Sequence, residues 1–460
     1  MKKNSLVSAF KDLLGAENVM ESETDRMNYA YDAAVLAPVL PGLVVRPRKT
    51  EDIGAILRLC NENGIPVTVR GAGTNLSGGT IPSMGGLVML TNGLQRIIEI
   101  NEADMYAIVE PGVITAQLAT EVGKKGLFYP PDPGSQAVST IAGNVAENAG
   151  GLRGLKYGVT KDYVMGMEFY DATGTHVRTG SKTVKCVTGF NLAGLMTASE
   201  GCFGVYSQIT LKLVPPPRAS RSMMAIYDSV DQAAETVAAI IAAKIIPCTL
   251  EFMDNFTIRT VEDFAKAGLP TEAKALLLIE VDGHPAQVAE EADQVETICK
   301  ANGATRIQVA QTAEERNKVW EARRAALSSL AKLRPTTVLE DATVPRSRIP
   351  DMVRGLDAIA AKHKLTIGTF GHAGDGNLHP TILCDKRNRE EWHRVEKGIE
   401  EIFELALGMG GTLSGEHGIG LAKAGFMEKE VGRGSIEFSR KIKRAVDPKN
   451  ILNPGKIIGG

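Results

Sequence analysis

The sequence predicts an α+β fold in two parts, on three observations. Short β-rich runs alternate with helical patterns over about the first 215 residues. Pro215-Pro-Pro217 then gives the strongest boundary signal in the chain, since three successive prolines supply no backbone donors and restrict φ. Beyond it, strand and helix patterns repeat, as expected of an antiparallel sheet covered on one face by helices. The expected domains are therefore 1–217, with a tail from about 440 to 460 packing back on it, and 218–439.

Each element has a local reason. Met1-Lys-Lys3 precedes an apolar stretch that Lys11 and Asp12 interrupt, with no small-residue cleavage site after it, so an amphipathic helix is expected rather than a secretion signal. Residues 43–46 read as a strand and 51–63 as a helix closed by Gly64. Residues 66–70 form a strand leading into a glycine-rich loop, and 87–90, 97–100 and 106–110 are further strands. A helix follows at 115–125, a hairpin around Glu168-Phe-Tyr-Asp171 and Gly174, and a long β run at 205–214. In the second part, strands at 223–227, 249–253, 275–281 and 307–310 alternate with helices at 230–243 and 286–302. A helix at 313–332 leads to a strand at 337–339, and 447–455 is turn-like.

Composition excludes several function classes. With 43% hydrophobic residues, 23% charged residues and a net charge of −2, the chain can bury large cores and offers no nucleic-acid surface or acidic tail. No run of about 18 apolar residues occurs, so no membrane span is expected. The six cysteines are scattered without a Cys-x-x-Cys pair, which argues against an iron–sulfur cluster held by this chain alone. A reduced cytoplasmic protein with buried thiols is expected, any membrane contact being made through a partner.

The chemistry concentrates in Gly371-His-Ala-Gly-Asp-Gly-Asn-Leu-His-Pro380 and Ser414-Gly-Glu-His-Gly-Ile-Gly420. Neutral imidazole and carboxylate suit a divalent metal, with zinc, manganese and iron(II) all open. His372 and His379 would lie about 10 Å apart on a helix and more than about 20 Å apart in a straight strand. Both can hold one ion only if the chain folds back, which Gly and Asn in the intervening segment favour. Asp375 reads as turn chemistry, and Asn377 as a turn residue or a contact to a bound ligand. His176, His284, His363 and His393 lack such company and read as structural.

Two small-residue segments suit a flat or anionic ligand. Arg70-Gly-Ala-Gly-Thr-Asn-Leu-Ser-Gly-Gly79 follows a strand, yet it is neither a dinucleotide fingerprint nor a Walker loop and could be a tight strand connection. Pro130-Pro-Asp-Pro-Gly-Ser135 and 139–151 present many backbone amides with little side-chain bulk.

Together with Ser199-Glu-Gly-Cys-Phe-Gly204, these segments resemble the FAD-binding domain of the vanillyl-alcohol oxidase/p-cresol methylhydroxylase flavoproteins. The two histidine motifs resemble the branch that oxidises D-2-hydroxy acids, the resemblance running from about residue 35 to the end. It implies a two-part FAD-binding domain of the vanillyl-alcohol oxidase type with an antiparallel-sheet α+β cap domain. It implies cofactor contacts at Arg70, Gly71, Ala72, Gly73, Thr74, Asn75, Leu76 and Gly78, and at Pro131, Asp132, Ser135, Ser139, Thr140, Gly143, Asn144, Asn148 and Gly150. Gly201 and Val205 match adenine-side contacts, and Asn453 a tail residue near the flavin ring.

By the same resemblance His372, His379 and Glu416 are metal ligands, and His417 is the catalytic base. Arg323 matches the arginine that grips the substrate carboxylate, with Arg324 as its competitor, and Asn377 joins the catalytic group. The implied reaction is FAD-dependent oxidation of a small 2-hydroxy acid, with metal-assisted alkoxide formation and hydride transfer to flavin N5. Electrons would pass to an iron–sulfur subunit or an electron-transferring flavoprotein. Rival readings are an oxygen-using oxidase and an FAD-bearing electron-transfer subunit without its own substrate. Two departures refine this. The first histidine is His176, so FAD is expected to be non-covalent. Leu339 stands where a dicarboxylate-binding branch carries lysine, which favours a monocarboxylate.

Overall fold

The structure, a computed structural model, describes residues 3–459 and divides into two compact units. The first holds the described residues up to Gly150, then Val159–Pro216, then those from Glu416 onward. The second holds Gly151–Gly158 and Pro217–Gly415. The expected linear division thus shifts in two places. Residues 416–439, expected with the second part, lie in the first unit, and 151–158 lie in the second.

The first unit contains two sheets. In one, Val19–Met20, Leu43–Val45, Leu87–Leu90 and Val67–Arg70 lie in that order, the last three parallel. Leu43–Val45 and Val67–Arg70 run parallel on either side of Leu87–Leu90, and helix Thr50–Asn63 is the crossover between those two outer strands. Its Ile53, Ile56, Leu57 and Cys60 follow the spacing of one helical face and are all buried. Gly64 ends the helix at φ 63, in the left-handed region where glycine carries no Cβ clash. Helix Lys3–Leu14 adds Phe10 and Leu14 to the same core, as the amphipathic reading expects.

The second sheet runs Ile97–Asn101, Tyr106–Val109, Val205–Lys212, Val164–Tyr170, His176–Gly180, wholly antiparallel. Helices Thr115–Lys124 and Ile141–Glu147 seal it with Leu118, Val122, Ile141 and Val145. The small-residue segment 139–151 is thus partly helical, with Thr140 capping through its hydroxyl.

The chain end returns to this unit by identifiable bonds. Val67 N–H donates to Ile451 O at 2.7 Å, and Asn453 N–H to Val67 O at 2.8 Å. Buried Lys443 donates to Cys202 O at 2.8 Å, Leu452 O at 2.7 Å and the Asp447 carboxylate at 2.7 Å. Segment 419–422 is held as firmly. Leu421 and Ala422 N–H both donate to Ser77 O at 2.9 Å, and Ile419 and Gly420 N–H donate to the Glu200 carboxylate at 2.7 Å.

In the second unit the strands run Arg306–Val309, Ala219–Tyr227, Ala275–Gly283, Thr249–Asp254, Thr366–His372, Asn377–Cys384, Thr336–Leu339, and Ala342–Thr343 pairs beside Asn377–Cys384. All neighbours are antiparallel. The expectation of helices on one face only is corrected. Residues 275–282 are buried at consecutive positions, so both faces of that strand are covered. Met224, Ile226, Leu276 and Leu278 pack with Val261, Trp320 and Leu330. Tyr227, of opposite parity, reaches Thr236 and Cys299 on helices Val230–Ala242 and Pro285–Ala301. The single helix expected at 313–332 is two, Ala313–Arg324 and Ala326–Leu330. One thiol departs from the buried expectation, since Cys186 is exposed.

Ser77 also donates to Glu147 at 3.1 Å, and Glu147 is a half-buried neighbour of Glu200. Burial pushes both carboxyls up, Glu200 to about 7, and in Glu147 the Glu200 charge adds to the effect. Glu200 holds this position with a left-handed φ of 48, a strained conformation for a non-glycine residue.

Two outcomes are expected. Lys443→Ala leaves Asp447 buried without its cation and should cost about 3 kcal/mol, read as a lower urea midpoint; an unchanged midpoint would refute the anchoring role. A carboxyl raised by folding contributes stability below its ordinary value of 4.5, and this is lost as pH rises towards the folded value of about 7. The thermal midpoint of Glu200→Gln should therefore decline less than that of the wild type between about pH 5 and pH 7. Parallel declines would show that Glu200 carries no such linkage.

Candidate active site

In the second unit the two expected histidines meet through a hairpin. Strands Thr366–His372 and Asn377–Cys384 pair with His372 opposite Asn377 and Phe370 opposite His379. Opposed residues and those two apart share a face, so all four side chains lie together. Ala373–Asp375 makes a single tight turn, and Gly376 at φ 83 closes it, where a Cβ would collide with Val344 O. The His372 and His379 rings stand edge to face with centroids 5.1 Å apart. Both are buried, His372 at 7% and His379 at 3% exposure.

Each imidazole has a buried carboxylate on its Nδ1 side. Strand Thr249–Asp254 pairs with Phe252 opposite Gly371, which brings Glu251 beside His372. Glu251 Oε1 lies 2.6 Å from His372 Nδ1. Asp341 Oδ1 lies 3.7 Å from His379 Nδ1. Asp341 also accepts from Asn377 Nδ2 at 2.5 Å and from Ser414 Oγ at 2.7 Å. Asn377 donates to Thr343 as well, and its Oδ1 is buried with no hydrogen-bond partner among the described residues.

Arg323 sits where the helix pattern places it. On Ala313–Arg324 it follows Trp320 by three residues, so the two share the buried face while Arg324 is exposed. Its guanidinium binds Glu251 Oε2 through Nε at 2.6 Å and Nη2 at 2.5 Å, over the Phe370 ring at 4.7 Å. The arginine expected to grip the substrate carboxylate is therefore already engaged by a protein carboxylate. Burial pushes the Glu251 carboxyl up, but Arg323 and His372 outweigh it and hold the group below its ordinary value. One and two turns back, Trp320 and Arg316 grip Glu280, at 2.9 Å and 2.6 Å.

Ser414 and Gly415 end the second unit against this cluster. A Cβ on Gly415 would strike Asn377 and Thr343. Glu416 and His417 come next, and belong to the first unit. There a Cβ on Gly150 would lie 2.6 Å from Glu416 Oε2, so Gly150 makes room for that side chain. Gly418, at φ 87, lies in the left-handed region that strains other residues, and a Cβ there would press on the Glu147 carboxylate.

The expected cofactor residues all lie in the first unit. Arg70 ends its strand with Nη1 donating to Tyr31 O at 2.6 Å, and Gly73 at φ 70 passes over the same guanidinium. Gly71 packs on Thr140, and Asn75 donates to Asp32 at 2.8 Å. Ala72, Thr74 and Leu76 complete the partly exposed loop, and Gly78 turns it at φ 77. Pro131 and Asp132 are buried, and Ser135 O accepts from Ser139 N–H at 2.8 Å. Ser139 and Asn144 are tied to Thr115 at 2.9 Å and 2.8 Å. Gly143 N–H donates to Thr140, and Asn148 accepts from Lys161 N–H at 2.9 Å. Val205 is buried at a strand start.

Asn453 ties these segments together, donating from Nδ2 to Gly79 O at 2.9 Å and Glu200 O at 2.6 Å, beside Gly201. Its Oδ1 is buried with no partner among the described residues, an acceptor that a flavin N–H or ribityl hydroxyl would satisfy. The residues present thus fit a flavin.

Four carboxylates escaped the sequence reading: Glu251, Asp341, Glu147 and Glu200. Glu251 left one signal, a charge inside the otherwise apolar strand Thr-Leu-Glu-Phe-Met253. The remaining histidines have local partners. His176 meets Glu168 at 3.0 Å, His363 meets Glu401 at 3.1 Å, His284 caps a helix, and His393 lies 4.0 Å from Glu396. No helix among the described residues is long and apolar enough to cross a membrane.

Comparison with known proteins agrees with this geometry. The FAD binding domain family matches residues 41–180, and the FAD linked oxidases, C-terminal domain, match 216–457. The glycolate oxidase subunit GlcD of Bacillus subtilis (strain 168) is 52% identical over 443 residues, covering 96% of this chain and 94% of that protein. A D-lactate dehydrogenase of Anaerostipes hadrus is 33% identical, covering 98% and 97%. Among solved structures, p-cresol methylhydroxylase with substrate bound superposes with a TM-score of 0.79 at 19% identity, covering 99% and 96% of the two chains. The 4-ethylphenol oxidase from Gulosibacter chungangensis gives 0.81 at 18%, with the same coverage. The expected two-part FAD-binding fold is therefore borne out, and the chain belongs to the FAD-linked oxidases, a family of flavin-dependent oxidoreductases.

Proposed function

We propose that this protein oxidises a small D-2-hydroxy acid, D-lactate or glycolate, to the 2-oxo acid, with FAD as acceptor and a partner protein as the electron outlet. One observation carries the chemistry: two buried imidazoles 5.1 Å apart, with Glu251 at hydrogen-bond distance from His372 Nδ1 and the Asp341 carboxylate 3.7 Å from His379 Nδ1. Metal-ligating histidines characteristically carry such a partner on the second nitrogen. The names of the relatives, a glycolate oxidase subunit and a D-lactate dehydrogenase, support the substrate class, and the word subunit supports a partner.

His372 and His379, with Glu416 as the resemblance implies, offer donor types that suit zinc, manganese or iron(II). A divalent ion held there would polarise the substrate hydroxyl, while FAD would accept the hydride from Cα. The chain's own residues do the rest. His417 takes up the hydroxyl proton on an imidazole nitrogen, a suitable base near neutral pH. Arg323 offers the substrate carboxylate the N–H donors that Glu251 leaves uncovered. Asn377 Oδ1 is a buried acceptor beside the histidines and can orient a hydroxyl. The oxidation balances: the hydroxyl proton goes to His417, the hydride leaves Cα, and the carbonyl forms. Leu339 supplies no cation for a second carboxylate, so a monocarboxylate is preferred.

Anaerobic mixing with D-lactate or glycolate should bleach the flavin, while D-2-hydroxyglutarate should bleach it far more slowly. No bleaching by any small 2-hydroxy acid in the metal-loaded protein would sink the proposal. His417→Ala should slow flavin reduction by about 10²- to 10⁴-fold with FAD still bound; normal turnover would remove His417 from the role of base. Stripping metal with a chelator should abolish bleaching, and adding back zinc or manganese should restore it. Undiminished bleaching after chelation would remove the metal from the mechanism.

A further inference from the structure

Glu251 is wholly buried and divides its two oxygens. Oε1 faces His372 Nδ1 at 2.6 Å, and Oε2 takes Arg323 Nε at 2.6 Å and Nη2 at 2.5 Å. We propose that Glu251 is a positioning residue that couples the ion-holding histidine to the substrate-gripping arginine, so that each of the two binding events strengthens the other. The proposal rests on the metal reading of the preceding section.

The argument follows from donor and acceptor inventories. An ionised carboxylate only accepts, so the nitrogen facing Oε1 carries the proton. His372 is thereby set in the Nδ1–H tautomer, which turns the Nε2 lone pair outward as the ligand. Arg323 cannot lose its charge, and Glu251 engages two of its five N–H donors while Phe370 supports its plane at 4.7 Å. An incoming carboxylate on the remaining donors draws part of the guanidinium field away from Oε2. Glu251 then accepts more strongly from His372 Nδ1–H, and the imidazole becomes a more basic ligand. Reciprocity requires that a bound ion tighten carboxylate binding by the same factor.

A glutamine cannot do both tasks. Its one oxygen can serve Arg323 or His372. If the oxygen serves Arg323, the amide N–H₂ faces His372 Nδ1 and forces the other tautomer, whose Nε2–H cannot ligate. If it serves His372, the N–H₂ opposes the guanidinium donors.

The test uses FAD-loaded, metal-stripped protein titrated with zinc against a competing chelator, with and without propionate, a monocarboxylate lacking the hydroxyl. Wild type should bind zinc, and more tightly with propionate present. Glu251→Gln should weaken zinc binding by about 10- to 100-fold and lose the propionate effect, with FAD retained. Glu251→Asp should recover part of the affinity. Ring ¹⁵N spectra should report the Nδ1–H tautomer for His372 in wild type and its loss in Glu251→Gln. Equal zinc affinity in wild type and Glu251→Gln overturns the proposal while leaving the metal reading intact. No zinc bound by wild type overturns both. Should Glu251→Gln fail to fold, zinc affinity indifferent to propionate in wild type still overturns the coupling.

Discussion

The interior of the second unit is organised by the cost of burying charge. An unpaired carboxylate inside a sheet is too unfavourable to persist, so each one must be met by a cation or by hydrogen-bond donors. Glu251 and Glu280 are both met by one helix face, through Arg323 and through Arg316 with Trp320. That requirement fixes the rotation of helix Ala313–Arg324 against the sheet, and with it which of two adjacent arginines turns inward. The same carboxylate then orients His372. The placement of Arg323, the packing of its helix and the orientation of the His372 imidazole are three consequences of one buried negative charge.

The first unit meets a different constraint, the need to satisfy main-chain groups where loops crowd together. Ser77 O receives two amides from segment 421–422, Glu200 receives two from 419–420, and Asn453 bridges Gly79 and Glu200. Small residues there serve close approach. Gly71 leaves space for Thr140, and Gly150 for Glu416. The segment that follows His417 is therefore held through its backbone donors at 419–422.

Much of this was legible in advance where the signal is local. The glycine and asparagine between His372 and His379 call for a reversal, and the hairpin follows. The apolar spacing of 51–63 and the glycine after it call for a helix with that end, which is what forms. The reading failed where partners are distant in sequence. Alternating polarity alone could not show that strand Ala275–Gly283 is covered on both faces, because an all-apolar run suits either a buried strand or a helix. Nor could it join 416–439 to the first unit, since the bonds that do so come from Ser77 and Glu200, hundreds of residues earlier.

The amino-acid sequence by itself determined the two-part α+β architecture, the flavin-suited loops and the pairing of His372 with His379, because turns, helix faces and strand runs are set by residues a few positions apart. Tertiary structure alone decided which carboxylates stand behind those histidines. Glu251 and Asp341 lie 121 and 38 residues from His372 and His379 in the chain, and only the register of neighbouring strands brings an acceptor within reach of an imidazole. It also decided that Arg323 is shared with Glu251, since a guanidinium buried beside a carboxylate pairs with it at once.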